Sequence, residues 1–243
     1  MDPFETHQQA WRDYQQTPWA RLRYAVVADT LARHLSAGSR ILDVGGGDGM
    51  DALTLQQAGY DVLVVDTSTA MLAEARAKGL PVSEASLDDL PLGEWDVVLC
   101  HFVLQYRADT AADVALLRQR VRPGGLLSLI VPNPVGPVLA AAVRRGPAAA
   151  LAELSSTVTQ TVTFDTAVRR ISDAELDNAL TGFDVVARYG IRCLNDLIAD
   201  EGKAAAYDEL LALELAVCGT EPYNRLGMFT HLLAARCLDG FDG

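Results

Sequence analysis

An α/β protein built on a doubly wound, mostly parallel sheet of seven strands is the fold this sequence predicts, and three observations carry it. Short apolar and β-branched runs alternate with stretches of helical periodicity as far as Val131. One run, Arg40-Ile41-Leu42-Asp43-Val44, ends in the cluster Gly45-Gly46-Gly47-Asp48-Gly49. The next, Asp61-Val62-Leu63-Val64-Val65-Asp66, ends in an acid.

Taken in order, residues Phe4 to Ser36 have a helical pattern, with Leu22, Val26, Val27, Leu31 and Leu35 on one stripe, and form a helical cap. Strand one ends in glycines that let the chain turn hard and approach a ligand closely. Met50 to Ala58 follows as a helix closed by Gly59, so the turn is expected to present backbone N–H groups to something polar or anionic. After strand two, Ser68 caps a helix that runs to Lys78 and stops at Gly79. Pro81–Glu84 and Trp95–Cys100 are the third and fourth strands, Ala111–Val121 a helix, and Leu126–Val131 the fifth strand after the turn Pro123-Gly124-Gly125. Regular alternation then lapses between Asn133 and Arg170 into an Ala-rich helical piece and a Ser/Thr-rich segment, an insertion that reads as a lid. Its four arginines, Arg144, Arg145, Arg169 and Arg170, outnumber Glu153 and Asp165. Ser172 and Glu175 have capping-box spacing for a helix to Leu180. Phe183–Arg192 and Met228–Arg236 complete the sheet, with a helix over Ala204–Val217 between them.

The chain has 243 residues, half of them hydrophobic, enough for a full core. Its longest apolar stretches fall well short of the ~20 residues of a membrane span, and the N-terminus lacks the apolar segment of a signal peptide, so the protein is read as cytoplasmic. Cys100, Cys193, Cys218 and Cys237 are scattered, with no metal-ligand or redox spacing, which suits small core thiols and no metal site. A net charge of −12 argues against indiscriminate nucleic-acid binding.

A glycine turn after strand one and an acid at the end of strand two, about 20 residues on, suit an adenosine ribose held by its hydroxyls. The bland reading of Asp66 is a helix cap. Met50 stands where a dinucleotide signature has its third glycine, which weighs against the alternative of a nicotinamide-dependent oxidoreductase. Asp43, inside the end of strand one, would attract a cationic amine better than a phosphate.

Taken jointly, Asp43 to Gly49, Asp66, the stretch Ala85 to Pro91, Cys100-His101-Phe102 and Arg122-Pro123-Gly124-Gly125 resemble the class I S-adenosylmethionine-dependent methyltransferases. The resemblance implies the Rossmann-like methyltransferase fold and S-adenosyl-L-methionine as donor, leaving as S-adenosyl-L-homocysteine. It implies that Asp43, Gly45, Gly46 and Gly47 pass under the methionine part and that Asp66 takes the ribose hydroxyls. Thr67 and Met71 join that set, and Ser86 and Leu87 border the adenine. Many members carry an acid where Ser86 stands.

Three further segments are Ala20 to Ala25, His101 to Tyr106, and the tail from Leu210-Leu211-Ala212-Leu213-Glu214 through Cys218, Tyr223 and His231. These resemble the CmoM-type methyltransferases, which esterify a tRNA carboxymethoxyuridine. That likeness implies that Arg23 holds the donor's carboxylate and that Arg192 lies in the acceptor region. Such enzymes carry a lysine run in the insertion after strand five, and this chain does not. Its acceptor is therefore expected to be a small molecule bearing a carboxylate or hydroxyl, with tRNA as the alternative. Transfer to a carboxylate needs no base, whereas a hydroxyl needs one. His101, which reads either as that base or as a wall of the donor pocket, is the candidate, and it is taken as catalytic together with Arg192 of the acceptor region. Arg192 also reads as a simple partner of Asp196. The chain is expected to form a single domain over 1–243, with the cap at 1–38, the donor-binding core at 39–133, the lid at 134–171 and the rest of the sheet at 172–243.

Overall fold

The computed structural model describes residues 8–161 and 166–238. The first residues of the expected cap, Phe4 to His7, lie outside that range. Helix α1 covers Gln8–Gln15 and α2 covers Pro18–Ala32, separated where Thr17 accepts the Ala20 N–H and Pro18 fills the first helical position. Seven strands then form one sheet: β1 (Arg40–Val44), β2 (Asp61–Asp66), β3 (Val82–Glu84), β4 (Trp95–His101), β5 (Val121–Pro132), β8 (Phe183–Ile191) and β9 (Phe229–Arg236). Their order is β3-β2-β1-β4-β5-β9-β8. All pairings from β3 to β5 are parallel, and β9 alone runs antiparallel to both its neighbours. β8 thereby shares the direction of β1, so Arg192 follows its carboxyl end on the same edge as the glycine loop. This is the doubly wound, seven-stranded arrangement that the sequence predicts.

Successive strand residues point to opposite faces. Leu42, Val98, Leu127 and Leu129 pack with α5 (Thr110–Arg118) and α8 (Asp173–Ala179) on one side. Ile41, Val97, Leu99 and Ile130 pack on the other with α2, α3 (Met50–Gln57) and α4 (Thr69–Ala77). The expected caps are in place, with Ser68 accepting the Met71 N–H and Ser172 the Glu175 N–H. Cys100, Cys193 and Cys218 are free, buried thiols, the first and last in the two cores.

Two expectations are corrected. The fifth strand begins at Val121, because Val121 pairs with Trp95 before the Pro123-Gly124-Gly125 segment loops out and the ladder resumes at Leu126 with Val97. The Ser/Thr-rich part of the insertion is also more regular than its composition suggests, since it forms strands after the helices that its Ala-rich part predicts. The insertion folds as α6 (Val135–Arg145), α7 (Pro147–Leu154) and a separate antiparallel pair, β6 (Val158–Thr161) and β7 (Thr166–Arg169). Helix α9 spans Tyr207–Val217 against α2. No helix among the described residues is long and apolar enough to cross a membrane.

Candidate active site

Beyond the carboxyl ends of β1, β2, β4 and β8 lies a cavity of about 560 Å³, the place where open parallel sheets receive ligands. All the site residues singled out in the sequence line it: Arg23, Asp43, Gly45, Gly46, Gly47, Asp66, Thr67, Met71, Ser86, Leu87, His101 and Arg192.

The glycine loop is held against β2 by its own N–H groups. Those of Gly45 and Gly46 donate to Val65 O at 2.7 and 3.2 Å, and that of Gly47 to Asp66 Oδ2 at 2.9 Å. The strand end thus takes the N–H groups of Gly45, Gly46 and Gly47, and the ones the turn can present to a ligand are those at the start of α3. What the loop offers is closeness. A Cβ on Gly45 would stand 2.2 Å from Val103 Cγ2, and one on Gly46 2.5 Å from Asp43 Oδ2. Gly45 and Gly47 also have φ of 70° and 57°, the left-handed region that glycine enters without strain.

Asp66 does act locally, accepting the Ser68 N–H at 2.8 Å besides that of Gly47. A carboxylate can accept about four hydrogen bonds, so this role leaves it fit to receive hydroxyls as well. Ser86 caps the short 3-10 turn at Leu87–Asp89, accepting the Asp88 N–H at 3.2 Å, with Leu87 buried beside the cavity.

Asp43 is 2 % exposed, and burial, with Asp51 nearby, pushes its carboxyl up to about 8 against the opposing pull of Arg23. The unfolded chain ionises this group near 3.8, so between pH 4 and 8 the folded state is the one that keeps the proton. Stability from this group therefore falls as pH rises through that window.

Asp51 was not singled out in the sequence, yet it is central. Its Oδ1 accepts from Arg23 Nη1 at 2.7 Å and its Oδ2 faces His101 Nδ1 at 3.1 Å. Burial alone would raise its pKa, but Arg23 and then His101 hold it down at about 2. The readable signal was an acid in the first turn of a helix after a glycine loop. His101 is engaged at both ring nitrogens, its Nε2 lying 2.8 Å from Ser128 Oγ. A general base needs a ring nitrogen directed at the acceptor, so the geometry gives His101 the wall position and not the base position.

Arg192, with φ of 58°, directs Nε and Nη2 at the two oxygens of Asp196, and its guanidinium lies 5.6 Å from the centre of the Phe229 ring. Buried Glu214 fixes the turn behind it by accepting the N–H groups of Cys193, Leu194 and Asn195 at 2.7 to 2.8 Å. The arginines of the insertion are paired as well. Arg144 meets Asp200, Arg145 and Arg170 meet Glu153, and Arg169 meets Glu175. The local excess of positive charge counted from sequence is thus met by acids of the same insertion and of the segments around it.

The cap and the insertion supply further walls, through residues that were not among the expected site residues. Trp11 and Tyr14 stack at 5.5 Å, and Trp11 Nε1 and Gln15 Nε2 donate to Asp48 in the loop. Thr159, Gln160 and Thr161 of β6 bring the insertion to the cavity.

Comparison with known proteins adds to this geometry. The chain is 28% identical over 239 residues, covering 90% of each, to the tRNA 5-carboxymethoxyuridine methyltransferase of Escherichia coli (strain K12). Over 99 residues, 37% of this chain and 41% of the relative, it is 38% identical to the ubiquinone biosynthesis O-methyltransferase of Methylococcus capsulatus. A solved S-adenosylmethionine dependent methyltransferase from Mesorhizobium loti superposes with a TM-score of 0.61 at 24% identity, covering 86% of this chain and 96% of the other, and so shares the fold. The family profile described as a methyltransferase domain matches residues 14–161. A match over more than half of the chain, on the segment that builds the glycine loop and the carboxylates around it, shows that this protein belongs to the methyltransferase-domain family and is an enzyme of its S-adenosylmethionine-dependent class.

Proposed function

We propose that the cavity binds S-adenosylmethionine along the glycine loop and that the enzyme transfers its methyl group to a carboxylate oxygen of a small molecule. Bound there, the sulfonium donor supplies an already activated methyl. The protein's task is then alignment of nucleophile, methyl and leaving sulfur. The close backbone at Gly45 to Gly47 leaves room for the donor's body, Asp66 receives the ribose hydroxyls, Asp43 the ammonium, and Arg23 the carboxylate. The observation that carries the acceptor class is the lack of an uncommitted base. His101 is the single histidine in the lining and both its nitrogens are engaged within the protein, and no lysine or glutamate lines the cavity among the described residues. Asp48 and Asp51 are ion-paired with Lys78 and Arg23, Asp43 and Asp66 face the donor in this reading, and burial pushes the Tyr24 and Tyr106 hydroxyls up. A carboxylate needs no proton removed. Arg192, kept charged by Asp196 against the effect of burial, has Nη1 left to orient one.

The likeness over 90% of both chains to the tRNA enzyme favours a second reading with the same chemistry on a nucleoside carboxylate in tRNA. Ion pairing of all four insertion arginines supports the small acceptor, since little uncompensated charge is left there to displace counterions from phosphates. Methyl-labelled donor incubated at low salt with a metabolite extract and, separately, with tRNA distinguishes them. Base-labile label is expected in the small-molecule fraction, as a methyl ester requires. Label in tRNA alone would overturn the small acceptor, and alkali-stable label would overturn the carboxylate.

Asp43 gives this reading a thermodynamic signature. A carboxyl that holds its proton up to about pH 8 must release it when an ammonium is drawn against it. Calorimetry of S-adenosylhomocysteine binding at pH 7, in two buffers of different ionisation heat, is expected to show close to one proton released and affinity that climbs toward pH 8. Asp43→Asn should abolish the release, and heats independent of buffer would refute the pairing of Asp43 with the amine.

A further inference from the structure

A line of hydrogen bonds continues from the cavity wall into the interior. Past Asp51 and His101 it reaches Ser128, whose Oγ lies 2.9 Å from His231 Nε2, and His231 Nδ1 lies 3.1 Å from Thr30 Oγ1. The members come from α2, α3, β4, β5 and β9, so the line ties three strands and two helices together. Ser128, His231 and Thr30 have no exposed surface, and their hydrogens must be settled among themselves. The rings of His101 and His231 stand edge to face at 5.6 Å, and the ring of Tyr189, hydrogen-bonded to His34 at 2.7 Å, lies with its centre 5.9 Å from that of His231.

Counting hydrogens leaves two orders. Burial keeps both imidazoles neutral, each with one donor and one acceptor nitrogen, and each hydroxyl has one hydrogen to give. Suppose Thr30 gives its hydrogen to Val26 O or Val27 O, at 2.8 and 3.0 Å. His231 must then carry its hydrogen on Nδ1, Ser128 donates to His231 Nε2, and His101 carries its hydrogen on Nε2. That order leaves a bare Nδ1 lone pair facing the Asp51 carboxylate at 3.1 Å, two acceptors in contact in a buried place. In the reverse order every donor meets an acceptor. Thr30 donates to His231 Nδ1, His231 Nε2–H to Ser128, Ser128 to His101 Nε2, and His101 Nδ1–H to Asp51. Val26 O and Val27 O lie within α2, where the helix ladder already supplies their partners.

We propose that Ser128, His231 and Thr30 are positioning residues of the donor site: their hydrogens order to match the Nδ1–H form that the Asp51 carboxylate demands of His101 and so hold the ring in place. His101 with Arg23 then clamps Asp51 and thereby aims Arg23 into the cavity. The consequence for the donor rests on the function proposed above, whereas the order of hydrogens does not.

Nitrogen NMR of the full chain labelled at its four histidines, assigned by single substitutions, reads the order directly. His101 is expected to carry its hydrogen on Nδ1 and His231 on Nε2. Ser128→Ala should leave the His101 hydrogen on Nδ1, convert His231 to a mixture of forms and weaken S-adenosylhomocysteine binding about tenfold, and Ser128→Thr, which keeps the hydroxyl, should restore both. A wild-type His101 with hydrogen on Nε2, or on both nitrogens, overturns the proposal, as does a folded Ser128→Ala protein that binds within twofold of wild type. If the wild type itself fails to bind S-adenosylhomocysteine, the donor reading falls while the NMR result still decides the order.

Discussion

Asp66→Ala is expected to weaken S-adenosylhomocysteine binding by at least about 100-fold, as measured by titration calorimetry. The side chain would lose two kinds of bond at once. Toward the ligand, two hydroxyl-to-carboxylate hydrogen bonds disappear, each worth about 1.5–3 kcal/mol when one partner is charged, and a loss of about 3 kcal/mol is already a factor above 100. Within the protein, the Gly47 and Ser68 N–H groups lose their acceptor, so the loop that carries the close backbone is released as well. Asp66→Asn separates the contributions. One oxygen of the amide can still accept, while its NH2 group meets an N–H in place of the other oxygen, and an intermediate loss of about tenfold is expected. Retention of wild-type affinity within threefold by Asp66→Ala would mean that no ribose is held there.

The parts of this site that the sequence disclosed are those made of adjacent residues. Asp43 to Gly49 and Asp66 mark strand ends whose meaning depends on spacing along the chain, and the fold places them where that spacing implies. What stayed illegible is made by residues far apart. Asp51 gains its role from Arg23, 28 positions away, and His101, 50 positions away. Ser128 and His231 lie 103 positions apart and meet because β5 pairs with β9, bringing Ile130 opposite His231. Nothing local in an apolar strand announces that its serine or histidine will meet a second imidazole. His101 shows the same limit from the other side. Its place at the end of β4 was readable, but its fitness as a base depended on two partners that only the packed structure supplies. The insertion arginines teach a matching lesson, since a count of charges along a segment cannot see the acids that answer them, such as Asp200 for Arg144.

Gly45→Ala is expected to lower Tm by roughly 5–15 °C and to abolish donor binding in whatever protein remains folded. Two costs add at this position. A left-handed φ of 70° costs a side-chain-bearing residue roughly 1–2 kcal/mol, and forcing a methyl group to 2.2 Å from Val103 Cγ2, in a valine packed against the core, adds overpacking of about 1–3 kcal/mol. In a domain of this size each kcal/mol moves Tm by about 2–4 °C. Gly59→Ala is the control for the first cost alone, because its φ is 93° and a Cβ there meets nothing within 4 Å, so a fall of only about 2–6 °C is expected. Gly46→Ala isolates the second cost. That glycine is outside the left-handed region, and its Cβ would press on Asp43 Oδ2 at 2.5 Å and Val64 Cγ1 at 3.0 Å. It should displace the carboxylate meant for the amine and suppress proton release on binding more than it lowers Tm. Equal falls in Tm for Gly45→Ala and Gly59→Ala would show that Val103 yields freely and that the cradle owes nothing to its tightness.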